Sequence, residues 1–177
     1  MPIRRLTADD LKAYRTLRLD ALRESPTSFG SAYEDEEPRP LADWATFMAG
    51  SDERVFFGAF SKGELIGSVG IEREDGRKER HRAFVRGMYV HVKHRGEGVG
   101  RQLLFAALQH AAGWAGLEQV TLAVTSSNTA AVALYRSAGF IEYGVAPRVL
   151  LVGGVYYDET LFVRQASAAS KLLPLSD

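Results

Sequence analysis

The sequence predicts a mixed α/β domain: a central, mostly antiparallel sheet of six or seven strands, one parallel βαβ unit within it, and helices on both faces. Three observations carry this. The apolar stretches 55–60 and 64–71 are separated only by Ser61-Lys62-Gly63, and the stretch 140–163 is broken only at Gly153-Gly154, so each reads as an antiparallel hairpin. Between them a strand, a glycine-rich turn, a helix and a second strand follow in order over 84–124, which is a right-handed parallel crossover. The run 84–92 sets Phe84, Met88, Val90 and Val92 on one face and Val85 and Tyr89 on the other, so this strand is expected to be covered from both sides.

The remaining elements are set by local signals. Residues 2–6 alternate as a short first strand, and Thr7-Ala8-Asp9-Asp10 has the form of a capping box opening a helix. Leu11, Tyr14, Leu17, Ala21 and Leu22 recur at helical spacing up to about Glu24, where Ser25-Pro26 stops the helix. Residues 26–40 lose periodicity and turn acidic at Glu34, Asp35, Glu36 and Glu37, which reads most plainly as a solvated loop. A second helix is expected over 41–48, with Trp44 and Phe47 on one side. A polar turn over 74–82 leads into the central strand, and Leu103, Leu104, Ala107, Leu108 and Ala111 form the buried stripe of a helix over 102–115. After Gly116 comes a buried strand at 120–124; Ser126-Ser127-Asn128 then caps a short helix ending at Gly139. One domain spans 1–165, and 166–177 is a small, polar C-terminal tail.

Composition narrows the function classes. The chain has 177 residues, 46% hydrophobic and 25% charged, which is the size and make-up of one ordinary globular domain. Its formal net charge of zero offers no global field for nucleic acid or an anionic membrane. It lacks cysteine, which removes disulfides, thiol nucleophiles and thiolate-bound zinc, and its four histidines have no metal-site spacing, so no metal is expected. With no membrane-length apolar run and no leader pattern, the expected compartment is the cytoplasm.

The stretch Arg95-Gly96-Glu97-Gly98-Val99-Gly100-Arg101 lies between the central strand and the next helix. Alternating glycines are costly in an ordinary helix start, so they need a local reason. A glycine-rich strand-to-helix turn leaves the first N–H groups of the helix bare, at the positive end of its dipole, and such a turn binds phosphate. A dinucleotide fingerprint, G-x-G-x-x-G, would need glycine where Arg101 stands. The run instead fits R/Q-x-x-G-x-G/A and resembles the phosphate turn of the GNAT superfamily of acetyl-CoA-dependent N-acetyltransferases. A second run, Asn128, Ala131, Leu134, Tyr135, Gly139 and Phe140, resembles the other coenzyme signature of that family at its usual distance. By itself Asn128 is also an ordinary helix cap and Tyr135 an ordinary core aromatic. Seven residues apart, they project from one side of a helix about 10 Å apart along its axis.

The resemblance covers 84–140 and extends to Val163; before about residue 50 the chain shares little of it. It implies a GNAT-type fold and N-acetyl transfer from acetyl-CoA to a primary amine of a small molecule or peptide, by direct attack in a ternary complex. It also implies that strands flanking the turn splay apart to admit the pantetheine arm. Coenzyme contacts then fall on the backbone of Met88, Val90 and Val92, on Arg95, Gly96, Gly98, Val99, Gly100 and Arg101, and on Asn128. Tyr135 is implied at the departing thiolate. The family's frequent glutamate on the central strand has no counterpart at 84–86, so Glu72 is the first candidate base, with Glu34, Asp35, Asp158 and Glu159 behind it. The acidic loop, through Tyr33, Glu34 and Asp35, is expected to border the acceptor site and favour a cationic amine. A non-catalytic acyl-CoA sensor is the alternative, against which Tyr135 argues, and GxxxxGK[ST] of a nucleotide enzyme is absent. A homodimer is allowed by the sequence; acceptor and pathway are not legible in it.

Overall fold

The computed structural model describes residues 1–166, and its sheet has seven strands in the order β1-β2-β3-β4-β5-β7-β6. Strands β1 (Ile3–Arg5), β2 (Arg54–Ser61), β3 (Glu64–Arg73) and β4 (Arg82–Val90) pair antiparallel in sequence. β4 then pairs parallel with β5 (Gln119–Thr125), and β7 (Val155–Gln165) lies antiparallel between β5 and the edge strand β6 (Ile141–Val152). The expected mixed sheet with one parallel pair is therefore present. Residues 167–177 of the expected tail lie outside the described residues.

Helices cover both faces because the strands bury both faces. On one side α4 (Val99–Ala111) inserts Leu103, Leu104, Ala107 and Leu108 against Val69, Ile71 and Val85, and Tyr135 of α5 (Thr129–Ser137) joins the same core with Phe140 and Phe162. On the other side α1 (Leu11–Glu24) and α3 (Leu41–Ala49) pack Tyr14, Leu22, Trp44 and Met48 against Phe56 and Phe60. The Thr7–Asp10 box is formed, with the Asp10 carboxylate accepting from the Thr7 N–H at 2.8 Å. It opens a single 3₁₀ turn, Ala8–Asp10, that runs on into α1. Arg4 grips the same carboxylate through two nitrogens, each at 2.7 Å, and holds Asp10 at a pKa of about 2.

Three expectations need correction. The acidic segment is not one solvated loop: it forms a 3₁₀ turn at Pro26–Ser28 and a one-turn helix, α2 (Tyr33–Glu36), that buries Glu36. The central strand ends at Val90, because the chain turns at His91 into a 3₁₀ turn (Val92–His94), leaving Val92 52% exposed instead of on the buried face. Helix α4 starts at Val99 and stops at Ala111, earlier at both ends than the spacing predicts.

Two irregularities shape the end of β4 and its border with β5. Gly87 has φ +59°, and around it β4 supplies one more residue than β3 between the pairs Gly70↔Arg86 and Ser68↔Tyr89. This bulge re-aims the end of β4. Strands β4 and β5 pair only at Arg82↔Gln119, Ala83↔Val120 and Phe84↔Thr121, then part company, so the sheet is split beyond Phe84.

Candidate active site

The glycine turn sits at the mouth of that split. Gly96 and Gly98 have φ of +83° and +77°, and Gly98 is the N-cap of α4. This left-handed geometry is easy only for glycine. It leaves the N–H groups of Val99, Gly100 and Arg101 without intrahelical partners, the first helical bond being Gln102 N–H to the Gly98 carbonyl at 3.2 Å. A Cβ on Gly96 or Gly98 would meet no protein atom within 4 Å, so the space beside them is open. At Gly100 it would stand 3.4 Å from Leu134 and 3.6 Å from Met88, where α4 presses against α5 and β4.

A cavity of about 380 Å³ lies in front of these amides. Of the expected coenzyme residues, Met88, Val90, Arg95, Gly96, Gly98, Val99, Gly100, Arg101 and Asn128 line it. Val92 does not, because the 3₁₀ turn carries it out to solvent. Arg95 is spent partly on the fold, donating through Nε to the Val90 carbonyl at 3.0 Å and reaching Glu24 at 3.3 Å. Arg101 has no ion pair among the described residues. Asn128 is the helix cap the sequence allowed, its Oδ1 accepting from the Ala131 N–H (3.1 Å), and it also lines the cavity, with its Nδ2 toward Ser28 Oγ at 3.4 Å.

Tyr135 does not line the cavity. Its ring packs edge-on against Phe140 at 5.9 Å and near Phe162 at 6.3 Å, burial pushes its pKa up, and no described residue hydrogen-bonds its hydroxyl. Its ring thus packs as a core aromatic, while its hydroxyl has no hydrogen-bond partner among the described residues and stays available to a ligand.

A second cavity, of about 650 Å³, opens on the other side of the split. Phe84, Arg86 and Gly87 of β4, Leu122 and Ala123 of β5, and Glu159 of β7 form its floor, while Tyr14, Arg18, Trp44 and Phe47 form its roof. Ser28 and Phe29 line both cavities, so the two abut at the middle of the α1–α2 connection. That connection is strapped down by the buried Thr125 hydroxyl, which donates to the Thr27 carbonyl.

The carboxylates divide sharply. Glu72, the first candidate base, lines neither cavity; its oxygens accept from Arg54 at 2.6 Å and Arg86 at 2.5 Å. Glu36 is held by Arg18 through two nitrogens at 3.1 and 2.9 Å. Tyr33, Glu34 and Asp35 do not border the cavity: α2 turns both acids to solvent, and Tyr33 hydrogen-bonds Arg23. Asp158 caps the Arg148 N–H in the hairpin at 2.8 Å. Glu159 remains, lining the cavity without an ion pair among the described residues, and burial raises its pKa. Sequence reasoning missed the aromatic roof and Arg86, whose signal was only an arginine within an apolar strand. Among the described residues no three His, Asp or Glu side chains gather as metal ligands, and no helix is long and apolar enough to cross a membrane.

Comparison with known proteins bears on this geometry. The model of the acetyltransferase (GNAT) family matches residues 17–140. The N-alpha-acetyltransferase RimI of Mycobacterium tuberculosis (strain ATCC 25618 / H37Rv) is 37% identical over 119 residues, 67% of this chain and 72% of that protein. Of four other curated relatives the chain spans less than half, between 35% and 46% of their length. Among solved structures, a GNAT-family acetyltransferase from Streptococcus pneumoniae superposes with a TM-score of 0.80 at 25% identity, over 93% of this chain and 98% of that one. The yncA protein of Salmonella typhimurium, solved with its cofactor acetyl-CoA, gives 0.79 at 22% identity, over 100% and 98%.

Proposed function

Because the chain belongs to the acetyltransferase (GNAT) family and is an acetyl-CoA-dependent acyltransferase, we propose that it acetylates a primary amine of a small molecule or peptide by direct attack in a ternary complex. One observation carries the reading: two cavities approach each other through a split sheet and share Ser28 and Phe29 as walls. A sensor that only held acyl-CoA would have no use for the second.

The open cradle at Gly96 and Gly98, with the bare amides of Val99, Gly100 and Arg101, suits a pyrophosphate, and the freed end of β4 at Met88 and Val90 suits the pantetheine amides. Acetyl-CoA supplies the activated acyl group. The protein must then manage protons at both partners. An amine of pKa about 10.4 is protonated at pH 7, and freeing its lone pair costs roughly 4–5 kcal/mol. We assign that proton to Glu159 in place of Glu72, whose oxygens are already engaged by two guanidinium groups. As the amine nitrogen bonds to the acyl carbon, the carbon–sulfur bond breaks and the sulfur gains charge. Tyr135 is assigned to meet that charge with a hydrogen bond. A phenol near pKa 10 facing a thiol near 8.5 is already uphill by about 2 kcal/mol, and burial widens the gap, so the phenol keeps its proton.

Glu159→Gln tests the assignment. Loss of a general base should lower kcat/KM by roughly 10²–10⁴-fold with coenzyme affinity by calorimetry unchanged. Because the base works deprotonated and its pKa is raised, wild-type kcat/KM should fall on the acid side at a pH above that of a free carboxylate, and the variant should lack that limb. Wild-type turnover in the variant would exclude Glu159. Bound acetyl-CoA with no amine acetylated at all would exclude the proposed function.

A further inference from the structure

The acceptor cavity holds its charges in a pattern that bears on the class of amine it takes, an inference that rests on the proposed acetyl transfer. Arg18 and Glu36 neutralise each other. Arg39 and Asp43, both exposed, add one charge of each sign. Glu72 is one negative charge between two guanidiniums, Arg54 and Arg86, so the trio keeps one net positive charge. Of its members only Arg86 lines the cavity.

Arg86 is also presented for binding. It donates to Glu72 through one terminal nitrogen, and no other described residue accepts from it. Its guanidinium carbon stands 5.0 Å from the centre of the Phe84 ring and 5.7 Å from that of Phe47, which fixes the fork on the cavity wall. A guanidinium held in one orientation with donors to spare is suited to a carboxylate. A polyamine or aminoglycoside would bring a further positive charge beside it.

We propose that the acceptor is an amine that also carries a carboxylate, in the simplest case an α-amino acid, with the carboxylate on Arg86 and the amine toward Glu159. The aromatic walls, Tyr14, Phe47, Phe56 and Phe84, favour an apolar side chain between them. This reverses the cationic acceptor that the acidic segment suggests in the sequence.

The test is acetylation of the common amino acids, each against the amine left when its carboxylate is removed: L-phenylalanine against 2-phenylethylamine, L-leucine against 3-methylbutylamine. The best amino acid should exceed its matched amine in kcat/KM by roughly tenfold or more, the worth of a charge-assisted bidentate contact. In Arg86→Gln that ratio should collapse toward one through KM, and Arg86→Lys should restore part of it, since lysine keeps the charge but not the fork. Amines acetylated as well as the amino acids, or a ratio unchanged in Arg86→Gln, overturn the inference and leave acetyl transfer standing. A wild-type ratio near one overturns the inference even if the variants fold poorly; because the carboxylate also makes the α-amine less basic, a high ratio supports it only once corrected for the free-base fraction of each amine. Acetyl-CoA binding with no member of either series acetylated overturns the inference, and only if peptide amines also go unacetylated does acetyl transfer fall with it.

Discussion

Gly98 offers a test in which backbone strain and coenzyme binding can be pulled apart. At φ +77° an L-residue pays roughly 1–2 kcal/mol, more if β-branched and less for asparagine, which visits this region several times more often than most side chains. In a domain of this size 1 kcal/mol is about 2–4 °C in Tm. Gly98→Asn should therefore melt within a few degrees of wild type, and Gly98→Val distinctly lower. Their Cβ atoms meet nothing in the protein, so packing adds no further penalty. Both, however, project into the open space before the bare amides, where a pyrophosphate has to come within about 3 Å of the backbone. Calorimetry with acetyl-CoA should thus show affinity reduced by roughly tenfold or more in both variants, despite their different melting temperatures. If Gly98→Asn binds like wild type, or if affinity merely tracks Tm across the series, the glycine is there for the turn and the cradle assignment is wrong.

Tyr135 and Asp10 can be tested in the same way, one for chemistry and one for stability. Tyr135→Phe should lower kcat by roughly 100-fold while leaving the acetyl-CoA dissociation constant unchanged, and stopped-flow turnover at wild-type rate would remove Tyr135 from the chemistry. Asp10, at a pKa of about 2 against 3.8 for the free group, stabilises the fold fully above pH 3.8, and this contribution disappears as the pH falls toward 2. With Arg4 half exposed, that is about 1–2 kcal/mol. Urea unfolding of Asp10→Asn should show that loss at pH 7 and little difference from wild type near pH 2.

Much of this arrangement was legible because it depends on local pattern. The two hairpins, the parallel crossover, the glycine turn before α4 and the Asn128 cap each announce themselves in a few consecutive residues. The failures share a different cause. Counting back without interruption from Ser61 opposite Glu64 would put Ile71 opposite Arg54. A register shift between Ala59 and Phe60 instead brings Glu72 there and engages the expected base with arginine. A one-residue bulge leaves no periodic trace. Helix α2 is a single turn, too short for its spacing to show, and only its docking reveals that Glu36 goes in while Glu34 and Asp35 go out. Val92 was misplaced because an apolar residue after a strand looks like more strand until the turn at His91 is seen.

The shortness of the β4–β5 ladder has a mechanical meaning. The sheet divides into two plates, β1 to β4 and β5-β7-β6, joined edge to edge by three register pairs and, beneath α4, by one shared core. Beyond Phe84 the two strands are unpaired, so under the proposed acetyl transfer the room for a longer acyl chain depends on how far the plates part as well as on any one side chain. Because Ser28 and Phe29 wall both cavities and their connection is strapped to the second plate through Thr125, a change in that spacing reaches both cavities together. Under the proposed acetyl transfer, acyl tolerance and acceptor fit are then one stiffness, shared by the short ladder at the root of the split and the core that spans both plates.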